Sequence, residues 1–311
     1  MVDSRSRPHM AIDLGGIHMS NPVNTASGTF GFGSEFEGFY EVAKLGAITC
    51  KGCSAIPWEG NPAPRMAEVA SGVINSVGLQ NPGIKAMVEK DGPYLDSLSR
   101  RGCSVIVQAA GHSVEEYVRA VELYEELALF AAGIELNVSC PNIACGGAAM
   151  GSTPEGAAEV VRAVRSRTQR PLIVKMAPTR VAEIARALED AGADALSLIN
   201  TIPSMAIDVH TRKSRLSRPT AGLSGPAIHP IAVRMVWEAH GATKLPLCGI
   251  GGIQSGQDAA EFILAGASAI SVGTANLYDP GCALRVVKEL ESWVVEQGAS
   301  DIHELIGAFE C

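Results

Sequence analysis

From Cys103 onward the apolar and polar positions fall into a regular rhythm. Ser104-Val-Ile-Val-Gln-Ala-Ala110 predicts a strand, and Ser113 to Phe130 a helix opened by Ser-Val-Glu-Glu, close to a capping box. Ile134, Leu136 and Val138 alternate with the period of two expected of a buried strand. That strand runs through Glu135-Leu-Asn-Val-Ser-Cys-Pro-Asn142, where Pro141 has no N–H to continue a ladder. A Gly- and Ala-rich loop, Ile143 to Ser152, follows. Next come a helix from Thr153 to Arg167, a strand over Pro171–Met176, a helix over Arg180–Ala191 and a strand over Ala195–Ile199. Beyond an irregular stretch, Thr201 to Ser224, the pattern predicts a helix over Ala227–His240, a strand over Leu245–Ile250, a helix over Ser255–Ala265 and a strand over Ala269–Val272. Upstream, Asn21 to Gly28 is expected to form a first strand ending in a small-residue turn, Ser34 to cap a helix through Lys44, and Gly46 to Gly52 to form a second strand. Cys53 to Pro82 is rich in Pro, Gly and Asn and too long for a passive connector, which marks it as functional.

Eight strands, most followed by a helix, indicate parallel β-α-β units. At 311 residues the series favours an α/β fold closed as a (β/α)8 TIM barrel, with long insertions at its C-terminal face, over an open doubly wound sheet. No G-x-G-x-x-G opens the first helix, which weakens a dinucleotide-binding reading. Residues 1–10 are expected to be an N-terminal arm and 11–311 a single barrel domain.

Composition narrows the picture further. The 47% hydrophobic content supports a large core, and the net charge of −8 argues against nucleic-acid or anionic-membrane partners. No apolar run reaches the ~18–20 residues of a membrane helix. Met1 to Met10 lacks the apolar core of a secretory signal, and eight scattered cysteines suggest reduced thiols in the cytoplasm.

In a barrel, chemistry sits at the C-terminal ends of the strands. Reading those ends in order gives Ser27, Lys51, Gln108, Asn137 with Cys140, Lys175, Asn200 with Thr201, Gly251 with Gly252, and Gly273 with Thr274. The loops after strands seven and eight form the usual phosphate site of this fold, so the two glycine-bearing turns favour a phosphate-bearing ligand over simple tight turns. Lys51 and Lys175 each follow an apolar strand, where a lysine needs an anionic partner unless it snorkels to water. Either lysine is also a candidate Schiff-base nucleophile. Cys140 reads as a small buried thiol or as a reactive one. Cys50-Lys-Gly-Cys53 spells C-x-x-C but straddles a strand end, and Cys145 reads as a bystander. His112, His210 and His229 lack metal-ligand spacing, so no metal is assigned.

These residues match a family. The chain resembles the class 1 dihydroorotate dehydrogenases, and within them the branch that serves as the flavin subunit of an NAD-dependent complex. The resemblance covers roughly Ala11 to Phe309. It rests on Ala26-Ser-Gly-Thr-Phe-Gly31, Gly60-Asn-Pro-Ala-Pro-Arg65, Asn75-Ser-Val-Gly-Leu-Gln-Asn-Pro-Gly83, Asn137-Val-Ser-Cys-Pro-Asn142, Ile199-Asn-Thr201, Gly222-Leu-Ser-Gly-Pro-Ala227, Gly251-Gly252 and Val272-Gly-Thr-Ala-Asn276. It implies FMN held by Ser27, Lys51, Gly52, Asn137, Lys175, Ile199, Gly225, Gly251, Gly252, Gly273 and Thr274. Gln108 joins that set, although the family usually has an asparagine there. Substrate is then held by Lys51, Asn75, Ser76, Val77, Gly78, Leu79, Asn137, Asn200 and Thr201, with Cys140 as catalytic base. The resemblance further implies a homodimer docked to a separate subunit carrying FAD and a 2Fe–2S cluster. The competing readings are a fumarate-dependent homodimer, the flavin barrel of dihydropyrimidine dehydrogenases (which usually has histidine where this chain has Asn142), a phosphosugar lyase using Lys175, and a non-catalytic flavin scaffold.

Overall fold

The computed structural model describes residues 7–138, 144–145 and 148–310. Eight parallel strands form one sheet: β1 (Val23–Thr25), β2 (Ala47–Thr49), β3 (Ser104–Ala109), β4 (Gly133–Asn137), β5 (Leu172–Lys175), β6 (Ala195–Leu198), β7 (Leu247–Ile250) and β8 (Ala269–Val272). Neighbours in the sheet are neighbours in the chain, from β2 round to β8 and then β1. The two ends of the sheet meet where the Gly46 N–H donates to the Val23 carbonyl at 3.0 Å. Asn24 Nδ2 bonds Thr49 Oγ1 across the same seam at 2.8 Å, and the Asn21 side chain ties Lys44 to Gly46. Gly46 is required there, because a Cβ would stand 1.8 Å from the Asn21 carbonyl oxygen. The sheet is therefore a barrel, as the alternation of elements predicts.

Each strand is followed by a helix: α1 (Ser27–Phe30), α2 (Ile84–Arg100), α3 (Val114–Leu127), α4 (Pro154–Arg165), α5 (Val181–Asp190), α6 (His229–His240), α7 (Gly256–Leu264) and α8 (Cys282–Glu296). Their starts follow local chemistry. Ser113 and Thr153 accept the N–H groups of Glu116 and Gly156, and Ser255 with Asp258 makes a reciprocal capping box. Apolar residues at helical spacing, such as Tyr117, Ala120, Val121 and Tyr124, face the barrel and are buried.

Two expectations are corrected. Ser34 to Lys44 is not one helix but two short 3-10 turns, Ser34–Phe36 and Val42–Lys44. Gly38 lies between them, and stacking of Phe36 on Phe30 at 3.9 Å holds the chain in that shape. The first strand runs to Thr25 and gives way, as expected, to a small-residue turn, with Ser27 opening a short helical turn. The irregular stretches are not unstructured either. Gly72–Asn75 and Met66–Val69 from the first pair with Ala221–Ser224 and Ile202–Ser204 from the second in a four-stranded antiparallel sheet. Because Ile202–Ser204 springs directly from the end of β6, this sheet stands over the C-terminal mouth.

The opposite mouth is closed by the hairpin Ile12–Asp13/His18–Met19. Leu14, Ile17 and Met19 are buried, and Ile17 fills the space over Gly133 at the start of β4. The end of the arm is tied down too: His9 N–H donates to Ser300 O at 2.8 Å and Ile302 N–H to His9 O at 3.0 Å.

Candidate active site

The strand ends carry the expected polar groups to one mouth. Ser27, Gln108, Asn137, Lys175 and Thr274 are buried, and Lys51 is half-buried. The glycine turns meet there as well. Thr274 Oγ1 donates to Ser224 Oγ at 2.8 Å, and the Gly225 carbonyl oxygen crowds Gly252 so closely that a Cβ would stand 2.8 Å away. Gly273 faces Ala26, next to Ser27, and the Ala26 N–H donates to Val272 O at 2.9 Å. The structure thus brings together the residues expected around a phosphate. Among the described residues the N–H groups of Gly252 and Ile253 have no acceptor.

Lys51 and Lys175 share one field. Burial lowers the Lys51 pKa most; the Cys53 thiol acts in the opposite direction, and the nearby Lys175 charge lowers it further. Neither ammonium makes an ion pair or hydrogen bond with a described residue. Lys51 also lines a cleft of about 450 Å³ with Phe32, Pro57, Trp58, Gln80 and Asn81. A second cleft of about 500 Å³, lined by His9, Met10, Ser20 and Asn21, lies before the first strand and away from the strand ends.

Beneath the lysines lies a strut that the strand pattern does not single out. Glu135, buried in β4, accepts from Gln108 Nε2 at 2.5 Å and from Ser197 Oγ at 2.6 Å, linking β3, β4 and β6. Gln108 is thereby turned to Glu135, and its Oε1 presses on Gly52, where a Cβ would stand 2.4 Å away. A charged residue between Ile134 and Leu136 in an apolar strand is the signal that could have identified Glu135.

The substrate-side residues are joined through the mouth sheet. Asn200 Nδ2 lies 3.4 Å from Asn137 Oδ1, and the Asn200 side chain accepts the Thr201 N–H at 2.9 Å. Thr201 Oγ1 packs on Gly222, whose carbonyl receives Asn75 Nδ2 at 3.5 Å. Tyr117 Oη anchors the Asn137 carbonyl at 2.6 Å. Ile199, the other expected contact, is buried, and its N–H donates to Ile250 O at 3.0 Å. Ser76 to Leu79 form a turn with positive φ at Gly78 and Leu79. Asn61 fastens this turn through Ser76 Oγ at 3.0 Å and the Val77 carbonyl at 3.0 Å. Arg65 reaches Asn61, Gln80 and the Glu59 carbonyl and fixes the loop from the other side. Asn61 and Asn81 lie inside motifs that carry the resemblance but have no expected role of their own, and nothing in local spacing distinguishes Trp58 from an ordinary loop residue.

The expected base Cys140 and its neighbours Ser139, Pro141 and Asn142 lie outside the described residues. Of the other thiols, Cys50 and Cys53 are buried and unpaired; burial raises Cys53 to about 12 and Cys50 higher still. The C-x-x-C pair therefore sits in the core as protonated thiols.

A (β/α)8 barrel that gathers lysines, amides and glycine turns at its C-terminal mouth has the layout of a barrel enzyme, and comparison gives the family. The dihydroorotate dehydrogenase family profile matches residues 9–294, and the chain belongs to that family. Among curated relatives it is similar to the dihydroorotate dehydrogenase B (NAD(+)) catalytic subunit of Geobacter metallireducens, 48% identical over 98% of this chain and 99% of that one. The protein of the same name from Geobacter sulfurreducens is 49% identical over 98% of this chain and 99% of its own length. A solved structure, the DHODH of Eimeria tenella in complex with ferulenol, has the same fold with a TM-score of 0.78, at 23% identity over 98% of this chain and 89% of the other.

Proposed function

We propose that this chain is a cytoplasmic dihydroorotate dehydrogenase of pyrimidine biosynthesis, oxidising (S)-dihydroorotate to orotate with FMN and passing electrons to NAD through a partner subunit. One observation carries the reading. Two ammonium groups without carboxylate partners among the described residues meet glycine turns whose N–H groups have no described acceptor at one barrel mouth, in a chain nearly half identical to enzymes of that name.

The residues fit FMN. Ser27, Gly225, Gly251, Gly252, Gly273 and Thr274 supply the small side chains and backbone donors that a phosphate needs. Lys175 stabilises charge at the electron-rich edge of the ring, with Gly52, Gln108, Asn137 and Ile199 around it. When bound, FMN supplies the two-electron acceptor. Lys51 neutralises the substrate carboxylate, and Asn75, Asn137, Asn200 and Thr201 offer donors and acceptors to a ring edge that alternates C=O and N–H. Ser76 to Leu79 shape the wall. Cys140 takes the C5 proton as the C6 hydride leaves, and a thiolate is a workable base near cationic groups.

The purified chain should carry visible flavin absorbance that dihydroorotate bleaches without oxygen. A colourless protein that borohydride traps with a keto-phosphate would instead identify a Schiff-base lyase acting through Lys175.

A further inference from the structure

His229 belongs to none of the strand ends, yet it stands against the glycine turn after β7. It opens α6, its side chain is 12% exposed, and its Nδ1 lies 3.0 Å from the Gly251 carbonyl oxygen. Nε2 lies 3.3 Å from Glu261 Oε2 on α7, and the ring stands edge-on to Phe262 with centroids 5.3 Å apart. Phe262 is held in turn, because it fills the space over Gly249. Asp258, the other carboxylate near this ring, is occupied by the N–H groups of Gln254 and Ser255.

A carbonyl oxygen can only accept, so His229 Nδ1 carries the proton in this contact. The Gly251–Gly252 peptide is trans and planar, which sets its C=O and N–H antiparallel. Holding the carbonyl toward α6 on the outside of the barrel therefore turns the Gly252 N–H inward. That N–H has no acceptor among the described residues. Both glycines have positive φ, +149° and +70°, and neither has a side chain to limit rotation of the peptide between them. An external pin is needed to keep the donor aimed.

We infer that His229 is a positioning residue for the cofactor phosphate. It pins the Gly251–Gly252 peptide so that the Gly252 N–H faces the anion, and Phe262 packs edge-on to hold the ring in place. This inference rests on the FMN reading above. His229 itself touches neither the phosphate nor the reacting atoms.

The test uses the full chain stripped of flavin, with dissociation constants for FMN and for riboflavin, which lacks the phosphate. An asparagine amide nitrogen falls close to the position of Nδ1, whereas a glutamine amide falls close to Nε2. His229→Ala and His229→Gln should therefore weaken FMN about tenfold, the worth of one hydrogen bond to a charged group. Riboflavin binding should not change, and His229→Asn should restore most of the FMN affinity. Equal loss for both flavins, or unchanged FMN affinity in His229→Ala, would overturn the inference while leaving the cofactor reading intact. A wild-type chain with no preference for FMN over riboflavin would overturn both.

Discussion

Lys51 is the residue on which the most demands converge. It is half-buried, has no carboxylate partner among the described residues, and is held below the ordinary lysine range by burial and by Lys175. Lys51→Ala should weaken orotate and FMN together, by about 10- to 100-fold for the orotate carboxylate; titration of each ligand checks this, and unchanged orotate affinity would refute the shared role. The pH dependence follows in sign. An anion prefers the ammonium form, so orotate affinity should fall as pH rises through the lowered Lys51 value, before an ordinary lysine titrates. Lys51→Arg, charged throughout, should flatten that fall. Cys140→Ala should keep FMN but slow its reduction by dihydroorotate ~100- to 10,000-fold in stopped-flow measurements. Cys140→Ser should recover partly at high pH, since a serine hydroxyl is a much weaker acid than a thiol. Residue types at strand ends made Lys51, Asn137 and Lys175 legible in advance. Glu135 shows in the sequence only as a charge inside an apolar strand, and its partners Gln108 and Ser197 on other strands cannot be read from that pattern.

Among the elements, the barrel was readable because strand and helix periods alternate regularly from β3 to β8. The two helices that the pattern missed, α2 and α8, show the limits of that reading. α2 contains Gly92 and Pro93, which oppose a helix locally, but it buries Ile84, Met87, Leu95 and Leu98, and that burial outweighs a proline cost of ~3 kcal/mol. In α8 the buried Val286, Leu290 and Val294 recur every fourth residue, a pattern present in the sequence. The mouth sheet was out of reach for a different reason. Its pairing of Val73 with Ser224 joins segments about half the chain apart, and no local signal fixes such a register. Inside the barrel, Gln108, Glu135 and Ser197 tie three strands together. Gln108→Leu would leave one oxygen of the buried Glu135 carboxylate without its donor, a loss of about 1–3 kcal/mol. Urea unfolding should show it as a lower midpoint with unchanged slope. An unaltered midpoint would mean that the strut contributes nothing to stability.

For the whole molecule, the open question is where the electrons go. The four-stranded sheet rises from the end of β6, at the mouth that gathers the lysines and glycine turns. The chain has no G-x-G-x-x-G to bind a soluble nicotinamide. An iron–sulfur cluster needs four thiolates in one place. The five described cysteines outside the active-site loop are buried, and burial keeps each protonated, with Cys248 at about 12 and Cys282 at about 11. For electrons to reach NAD we propose a relay on another polypeptide: a homodimer of this chain joined by a subunit with FAD and a 2Fe–2S cluster. The alternative, fumarate re-oxidising the same flavin, needs no partner. Anaerobic turnover of the purified lone chain with dihydroorotate separates the two. Fumarate reduction should be weak, and NAD reduction should appear only when the flavin–iron–sulfur subunit is added. Rapid fumarate turnover by the chain alone would place it among the self-sufficient enzymes and remove the need for the partner.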